Sequence, residues 1–296
     1  MNLSPQGFFR LHGGRPRKRF GQHFLTQAGV ARRIVAGAEL QEADVVVEVG
    51  PGLGALTQFI VQQVKQLHLV ELDRDLAEYL MGAFPSGSCR VEVHSQDILD
   101  LDLAGLSQRT GQRLVLLGNL PYNISSPLLF RLLEQHRGLH RAVFMLQREV
   151  GERLTAPSGG KSYGVLSILM GVYASVTPLF LVGPKHFYPS PQVDSIVVRL
   201  DFRHQPLLEE DAFQFLRQVV NHAFQHRRKT LLNSLRSMGA RCSISVAEAL
   251  AVTAIDPKRR PETLSLDDFI RLSAALRGSM AVGPGVDGTE GSGHRA

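Results

Sequence analysis

A short polar stretch, Asn119-Leu120-Pro121-Tyr122, carries the side chains best suited to chemistry and directly follows the aliphatic run 114–117. The exocyclic amine of a nucleic-acid base is a poor nucleophile because its lone pair is delocalised into the ring. An asparagine oxygen and a neighbouring main-chain carbonyl can accept both amine hydrogens, which leaves that lone pair more available. A tyrosine ring can stack on the base. The stretch therefore predicts activation of a base amine; the alternative is an ordinary strand–turn–helix connection capped by asparagine and proline.

A glycine-rich turn at 50–54 joins the valine-rich run 45–49 to a helical pattern. Glycine lets the main chain bend sharply and lets a ligand lie against it. A buried strand, a glycine turn and a helix N-terminus together form a nucleotide-sized socket. Because Gly50, Gly52 and Ala55 also satisfy a dinucleotide fingerprint, this turn alone leaves open which nucleotide-type cofactor binds.

Two acidic residues follow the next two predicted strands. Glu71 ends the strand at 67–71, where a carboxylate can accept hydrogen bonds from both ribose hydroxyls. Asp97 follows the strand at 90–94 and could accept from the amine of an adenine ring, with Ile98 packed on the ring face. The alternative for Asp97 is a helix cap or a loop acid.

Strand and helix patterns alternate through most of the chain, which predicts a parallel sheet with helices on both faces. Ligands of such sheets bind beyond the carboxyl ends of the strands. The predicted strands are 45–49, 67–71, 90–94, 114–117, 141–146, 175–181 and 196–202, the last two forming an antiparallel pair. The predicted helices between them are 56–64, 75–84, 127–134 and 163–173.

Net charge and its distribution favour a polyanionic partner. The 296 residues carry a formal charge of +6, and neither 1–38 nor 212–247 contains an acidic residue. Arg227, Arg228 and Lys229 form the densest basic cluster of the second stretch. Basic stretches of this kind neutralise nucleic-acid phosphates, although a single cluster is as readily a solvated surface.

Other features narrow the class of protein. Apolar runs are too short to span a bilayer, which predicts no membrane association. Cys89 and Cys242 lie far apart, so we expect a reducing compartment and no disulfide. No histidine or cysteine spacing predicts a metal site. The arginine-rich start lacks the apolar core of a secretory signal, and it fits either a cytoplasmic protein or a short mitochondrial presequence.

Four motifs resemble the rRNA adenine N6-dimethyltransferases, and most closely those of the bacterial small ribosomal subunit. The motifs are Gly-Gln-His-Phe-Leu from Gly21, Glu-Val-Gly-Pro-Gly-Leu-Gly from Glu48, Glu-Leu-Asp from Glu71 and Asn-Leu-Pro-Tyr-Asn-Ile-Ser from Asn119. They occur in the family's order, and the resemblance runs from about residue 17 to about residue 277. It implies a Rossmann-like methyltransferase domain that uses S-adenosylmethionine and no metal.

The resemblance also implies roles for particular residues. Asn119 is expected to contact both the cofactor and the target amine, with Tyr122 and Phe187 as the walls of the target pocket. The expected cofactor contacts are His23, Leu25, Gly50, Gly52, Glu71, Asp97, Ile98 and Asn119. Many relatives have asparagine where this chain has His23, so a side-chain and a main-chain contact are both open at that position.

The expected organisation has four parts. A basic, disordered lead covers 1–16, the methyltransferase domain 17–204, a small helical rRNA-docking domain 205–277 and a disordered Gly/Ser-rich tail 278–296. The expected substrate is 16S rRNA in the small subunit, methylated by a monomeric cytoplasmic enzyme. The alternatives are a resistance-type methyltransferase of 23S rRNA and a ribosome-assembly or nucleic-acid-binding factor without catalysis.

Overall fold

A seven-stranded, mostly parallel sheet organises the first part of the chain. The protein is described by a computed structural model, which covers residues 4–11, 15–17, 20–226 and 229–278. The strands of the described residues are β1 (Phe24–Leu25), β2 (Val45–Val49), β3 (Gln66–Val70), β4 (Arg90–His94), β5 (Leu114–Asn119), β6 (Leu139–Gln147), β7 (Ala174–Val182), β8 (Phe187–Tyr188) and β9 (Ser195–Phe202). All except β1 and β8 belong to the large sheet. The large sheet has the order β4-β3-β2-β5-β6-β9-β7.

Helices separate the parallel strands because the chain must return from the carboxyl end of one strand to the amino end of the next. They are α1 (Pro5–Leu11), α2 (Ala28–Gly37), α3 (Thr57–Ile60), α4 (Arg74–Ala83), α5 (Leu103–Thr110), α6 (Ser125–Glu134), α7 (Arg148–Thr155) and α8 (Val165–Tyr173). Every residue of β2 is buried, as its valine-rich run predicts. The main core includes Ile34 and Val35 of α2 and Leu80 of α4.

The predicted fold class is confirmed, and most strand bounds agree within two residues. Within the seven-stranded sheet only β9 runs antiparallel, and it pairs with both β6 and β7. The helix predicted at 56–64 is shorter, since α3 ends at Ile60. The side-chain amides of Gln62 and Gln63 donate to the carbonyls of Gln58 and Phe59, at 2.8 and 3.1 Å. In a longer helix, these two carbonyls would instead accept the main-chain N–H groups of Gln62 and Gln63.

Residues 5–11 correct the expectation of a disordered lead over 1–16, because they form α1. Phe8 is only 5% exposed and packs against Phe24, Leu53 and Leu76. Its ring also meets that of Tyr79 edge-on, with centroids 4.9 Å apart. The basic, acid-poor composition favoured disorder, but the two adjacent aromatic residues supply enough apolar surface to bind the segment to the domain. Residues 1–3 and 12–14 lie outside the described part.

A small two-stranded ladder, which the sequence did not predict, joins distant segments. β1 and β8 pair antiparallel, with Leu25 opposite Phe187 and Phe24 opposite Tyr188. Strands of two residues carry too little periodicity to be recognised from sequence. The ladder brings the segment around His23 beside the segment that contains Phe187.

The contacts divide the chain between Leu208 and Glu209, and the second unit is helical. Its helices are α9 (Glu210–Gln225), α10 (Leu231–Leu235), α11 (Val246–Val252) and α12 (Leu266–Arg277). The apolar residues Phe213, Leu216, Val219 and Val220 form a buried face of α9, whereas Val252 at the end of α11 is 71% exposed. Arg227 and Arg228, and the predicted tail after Gly278, lie outside the described residues.

Among the helices that the structure describes, none is both long and apolar enough to cross a membrane.

Gly118→Ala should destabilise the sheet beside the predicted catalytic stretch. A Cβ at this position would lie 2.7 Å from the Val49 carbonyl oxygen, a main-chain atom that cannot move aside cheaply. We expect a loss of about 1–3 kcal/mol in the free energy of unfolding, measured with urea. The matched control is Gly82→Ala in α4, where a Cβ meets nothing within 4 Å. Equal stability of the two variants would contradict the close approach.

Candidate active site

One cavity of about 750 Å³ opens at the carboxyl ends of β2, β3 and β5. This volume lies within the range of small-molecule and cofactor sites, roughly 300–1,000 Å³. The structure brings every predicted site residue to its wall: His23, Leu25, Gly50, Gly52, Glu71, Asp97, Ile98, Asn119, Tyr122 and Phe187. Their proximity follows from the strand order, because β4, β3, β2 and β5 are neighbours and end at the same edge. Their individual roles stay predictions.

The glycine turn after β2 uses conformations that other residues rarely adopt. Gly50 and Gly52 have φ values of +62° and +59°. A Cβ on Gly52 would also lie 3.1 Å from the ring of Phe24. The Gly52 N–H donates to Glu71 Oε2 at 3.1 Å, so this turn is tied to the end of β3. Bare main chain is thus presented to the cavity between two strand ends.

Glu71 is held in one position by two main-chain donors. Its Oε1 accepts from Asp73 N at 2.9 Å, while Oε2 takes the bond from Gly52. The side chain is only 7% exposed, and burial raises the pKa of its carboxyl. The two main-chain bonds act in the opposite direction, since they favour the ionised form. A carboxyl fixed in this way is suited to receive hydroxyl donors from the cavity.

Asp97 has both roles that its position allowed, because it caps a helical turn and lines the cavity. Its Oδ1 caps the turn at Ile98–Asp100 by accepting from Leu99 N at 2.9 Å. The residue also lines the cavity, where the second carboxyl oxygen is available to a ligand. Ile98 lies beside it, 4% exposed, and supplies apolar surface to the same wall. An acceptor next to an apolar face suits a flat heterocycle that carries an amine.

Asn119 has its amide orientation set by a main-chain partner. Its Nδ2 donates to the carbonyl oxygen of His23 at 2.7 Å. One N–H of the amide is therefore bound to the protein, which fixes the orientation of the group, and Oδ1 is its one acceptor for a hydrogen bond from a ligand. The sequence pointed to Asn119 but not to this partner, which lies far away in the chain.

His23 itself turns its ring toward a main-chain oxygen. Its Nδ1 lies 2.7 Å from the carbonyl oxygen of Pro189, and its ring centroid is 5.4 Å from that of Tyr122. The carbonyl of His23 is already used on the protein side, because it accepts from Asn119 Nδ2. Contact between His23 and a cofactor stays a prediction.

The two predicted aromatic walls differ in exposure. Tyr122 is half-buried, and its hydroxyl lies 3.1 Å from Ser195 Oγ, a bond that holds the ring at the cavity. Phe187 is only 6% exposed and packs in the main core as well as lining the cavity. Phe187 therefore contributes to the core, and its role in holding a base stays a prediction.

Two buried acids, one beside the cavity and one in its wall, make contacts that the sequence did not predict. Asp73, 4% exposed, accepts from Arg17 Nη1 at 2.7 Å and from Gln22 Nε2 at 2.9 Å, so it anchors the segment before β1. Glu48, 1% exposed, accepts from Thr57 Oγ1 at 2.7 Å and lines the cavity. Glu48 is the first residue of the glycine-rich motif, but the sequence does not indicate that its carboxylate binds Thr57.

In the described part of the chain, three side chains with metal-ligating atoms lie close together, a group that the sequence analysis did not identify. It consists of His68, Glu92 and His94 and lies outside the cavity lining. Its members come from two strands, so no spacing along the chain reveals them.

The fold and the cavity together define a Rossmann-like methyltransferase. Residues 13–277 match the family described as Ribosomal RNA adenine dimethylase, and the chain belongs to that family. This confirms the membership predicted from the four motifs.

Curated relatives match over nearly their whole length. The "Ribosomal RNA small subunit methyltransferase A" of Nitrosococcus oceani is 47% identical, over 88% of this chain and 96% of that protein. The protein of the same name from Pseudomonas aeruginosa is 43% identical, over 90% and 96%.

Solved structures share the fold. A dimethyladenosine transferase from Plasmodium falciparum superposes with a TM-score of 0.75 at 24% identity, covering 87% of this chain and 99% of that one. The 23S rRNA methyltransferase ErmE gives a TM-score of 0.68 at 26% identity, covering 86% and 99%.

Glu48→Gln should flatten the decline of stability with pH. Burial raises the pKa of the Glu48 carboxyl from 4.5 to about 8. Between these values the folded chain holds a proton that the unfolded chain has released, so stability falls as pH rises, by at most about 1.4 kcal/mol per pH unit. Glutamine cannot ionise, and the variant should lose less stability between about pH 5 and about pH 8.

Urea unfolding at several pH values measures this difference, with Glu78→Gln in α4 as the control. Glu78 is an exposed acid outside the cavity lining. If Glu48→Gln and the parent chain lose stability in parallel over the pH window, the proton on Glu48 is not the cause.

Proposed function

We propose that this chain transfers methyl groups from S-adenosylmethionine to N6 of two adjacent adenosines in a hairpin loop near the 3′ end of 16S rRNA. The substrate is the small ribosomal subunit, the product at each position is N6,N6-dimethyladenosine, and the reaction serves small-subunit biogenesis. Relatives carrying the small-subunit name at 41–47% identity support this target more strongly than ErmE at 26% supports a 23S target. The observation that carries the proposal is the Asn119 amide, whose nitrogen is bound and whose oxygen is left for an amine.

The cavity fits S-adenosylmethionine on three observations. Glu71 lies at the end of β3, where its fixed carboxylate can accept from the ribose hydroxyls. Asp97 and Ile98 offer an acceptor and an apolar face to adenine. Gly50 presents bare main chain to the methionine part. When bound, the cofactor supplies an electrophilic methyl group on a sulfonium sulfur.

Asn119 and a main-chain carbonyl then prepare the target nitrogen. Asn119 Oδ1 accepts one hydrogen of the adenine amine. The Pro121 carbonyl already accepts from Ile124 N and Ser125 Oγ, both at 3.1 Å, so the Leu120 carbonyl is the candidate second acceptor. Two acceptors favour a more tetrahedral nitrogen with an available lone pair. No strong base is needed, because the proton can leave after transfer, and catalysis consists mainly of alignment.

Tyr122 and Phe187 hold the base. The Tyr122 ring, steadied by Ser195, offers a stacking face, and Phe187 closes the pocket from the β8 side. A base can reach this cavity only when it is unstacked, so a loop adenosine or a flipped nucleotide is the expected substrate.

The second unit docks on rRNA in this proposal. Lys229 is exposed there, and it adjoins the two arginines that complete the basic cluster. The enzyme acts as a cytoplasmic monomer and requires no metal for transfer. A binding factor without catalysis would not require an oriented amide, an acid and an aromatic wall in the same cavity.

Asn119→Ala should abolish methyl transfer while leaving cofactor binding largely intact. Mass spectrometry of 16S rRNA, after incubation of the protein with labelled S-adenosylmethionine and unmethylated small subunits, measures dimethyladenosine directly. Asn119→Asp is the size-matched variant, and it should fail too because a carboxylate oxygen would oppose the His23 carbonyl. Methylated small subunits and large subunits serve as substrate controls. Transfer to large subunits alone would replace the proposed target, and undiminished transfer by Asn119→Ala would remove the proposed role of the amide.

Glu71→Gln should weaken binding of S-adenosylmethionine. Hydrogen bonds to a charged group contribute about 1.5–3 kcal/mol, which corresponds to a rise in Kd of roughly 10-fold or more. Calorimetric titration measures the Kd, and Glu78→Gln on the outside of α4 is the matched control. A melting curve of each variant separates loss of binding from loss of fold. An unchanged Kd would place the ribose away from Glu71.

A further inference from the structure

Parallel pairing of β3 and β4 places three potential metal ligands side by side. His68 lies opposite Glu92 in the register, and Val70 lies opposite His94. Since alternate residues of a strand point to the same face, the side chains of all three ligand residues share one side of the sheet. His68 Nδ1 is 3.0 Å from His94 Nε2, and the rings are tilted by 30°.

A carboxylate completes the group. The two oxygens of Glu92 lie 3.8 Å from His68 Nδ1 and 3.6 Å from His94 Nε2. Tetrahedral zinc bound at about 2.0–2.2 Å holds its ligand atoms roughly 3.3–3.6 Å apart. The two nitrogens are 3.0 Å apart, each is 3.6–3.8 Å from its nearer Glu92 oxygen, and one donor atom from each residue lies within 4.8 Å of the other two. The three side chains are therefore close enough to converge on one ion after a small rearrangement.

The surroundings resemble those of a metal-bound histidine. The second ring nitrogen of His68, Nε2, lies 3.0 Å from the side-chain amide of Gln66. Metal-ligating histidines generally donate their other N–H to an acceptor that fixes the ring. A half-turn of the Gln66 amide offers its oxygen to that N–H and leaves Nδ1 free for an ion. The His68 side chain is 3% exposed and that of Glu92 47%, so an ion would enter from the Glu92 side.

We propose that His68 Nδ1, His94 Nε2 and the Glu92 carboxylate bind one Zn²⁺ ion per chain, with water in the fourth position. When the ion binds, the proton now shared between the two imidazoles moves to the other nitrogen of its ring, so both imidazoles stay neutral and both coordinating nitrogens are free. Two imidazoles and one carboxylate favour zinc and its neighbours over Mg²⁺ or Ca²⁺, which take oxygen ligands. The positive charges of Arg90 and Arg109 act on His68 and limit the affinity.

The ion would fasten the edge strand of the sheet close to the cofactor cavity. β4 is the outermost strand on its side, and β3 is its neighbour. His94 ends β4, and its carbonyl accepts from Glu71 N at 3.0 Å. A link between His68 and His94 therefore ties together the strand ends from which Glu71 and Asp97 emerge. The ion takes no part in methyl transfer, so this site stands or falls independently of the proposed function.

The test is titration of chelator-treated full-length protein with Zn²⁺ by calorimetry, and with Co²⁺ as an optical probe. We expect one Zn²⁺ per chain at this site, a Co²⁺ absorption spectrum typical of a four-coordinate ion, and a rise in Tm with Zn²⁺. His94→Ala should remove one binding equivalent or raise its Kd by at least 10-fold, and it should abolish the rise in Tm. His222→Ala, which removes a partly buried histidine of α9 outside this group, should change neither.

Glu92→Gln guards against a folding defect in His94→Ala. Glu92 is exposed, so its replacement preserves the fold, and loss of its charge should still weaken Zn²⁺ binding several-fold. Circular dichroism of each metal-free variant verifies the fold. The proposal is overturned if folded His94→Ala binds Zn²⁺ with the stoichiometry and affinity of the parent chain, or if the parent chain binds none.

Discussion

The hydrogen bond from Asn119 Nδ2 to the carbonyl of His23 is the contact on which the geometry of the site depends. An amide has a donor on one side and an acceptor on the other, and nothing in its shape alone decides which faces the cavity. The His23 carbonyl decides it, because an oxygen there can only accept. A carboxylate at position 119 would place two acceptors against each other. Asparagine is thus required by the protein partner as well as by the amine that it is proposed to receive.

The segment that contains His23 is held in turn by the buried carboxylate of Asp73, in the turn after β3. Asp73 binds both Arg17 and Gln22, and it is nearly inaccessible to solvent. A buried acid is costly unless it is paired and fully hydrogen-bonded, so these contacts hold the segment before β1 firmly against the turn after β3. The β1–β8 ladder holds the other side of the same segment. The groups proposed to bind cofactor and amine are therefore fixed to one frame.

The sequence was informative where one segment carries its own pattern, and uninformative where two segments must meet. The run 45–49 predicted β2 within a residue, and the polar residues at the strand ends pointed to the cavity. The β1–β8 ladder, the partner of Asn119 and the cluster around His68 all depend on pairing between distant segments, which no local period encodes. α1 was missed for a different reason, because burial of Phe8 overcame a composition typical of disorder.

Two buried acids, Glu48 and Glu71, line the cavity, and their negative charges would repel each other if both were ionised. Glu48 and Glu71 lie at neighbouring strands, and each raises the electrostatic cost of ionising the other. Burial raises the pKa of both carboxyls, that of Glu48 to about 8, while two main-chain N–H bonds to Glu71 favour its ionised form. Near neutral pH Glu48 therefore keeps its proton, which removes its repulsion of a charge on Glu71, at the end of β3 where a ribose is expected to place its hydroxyls.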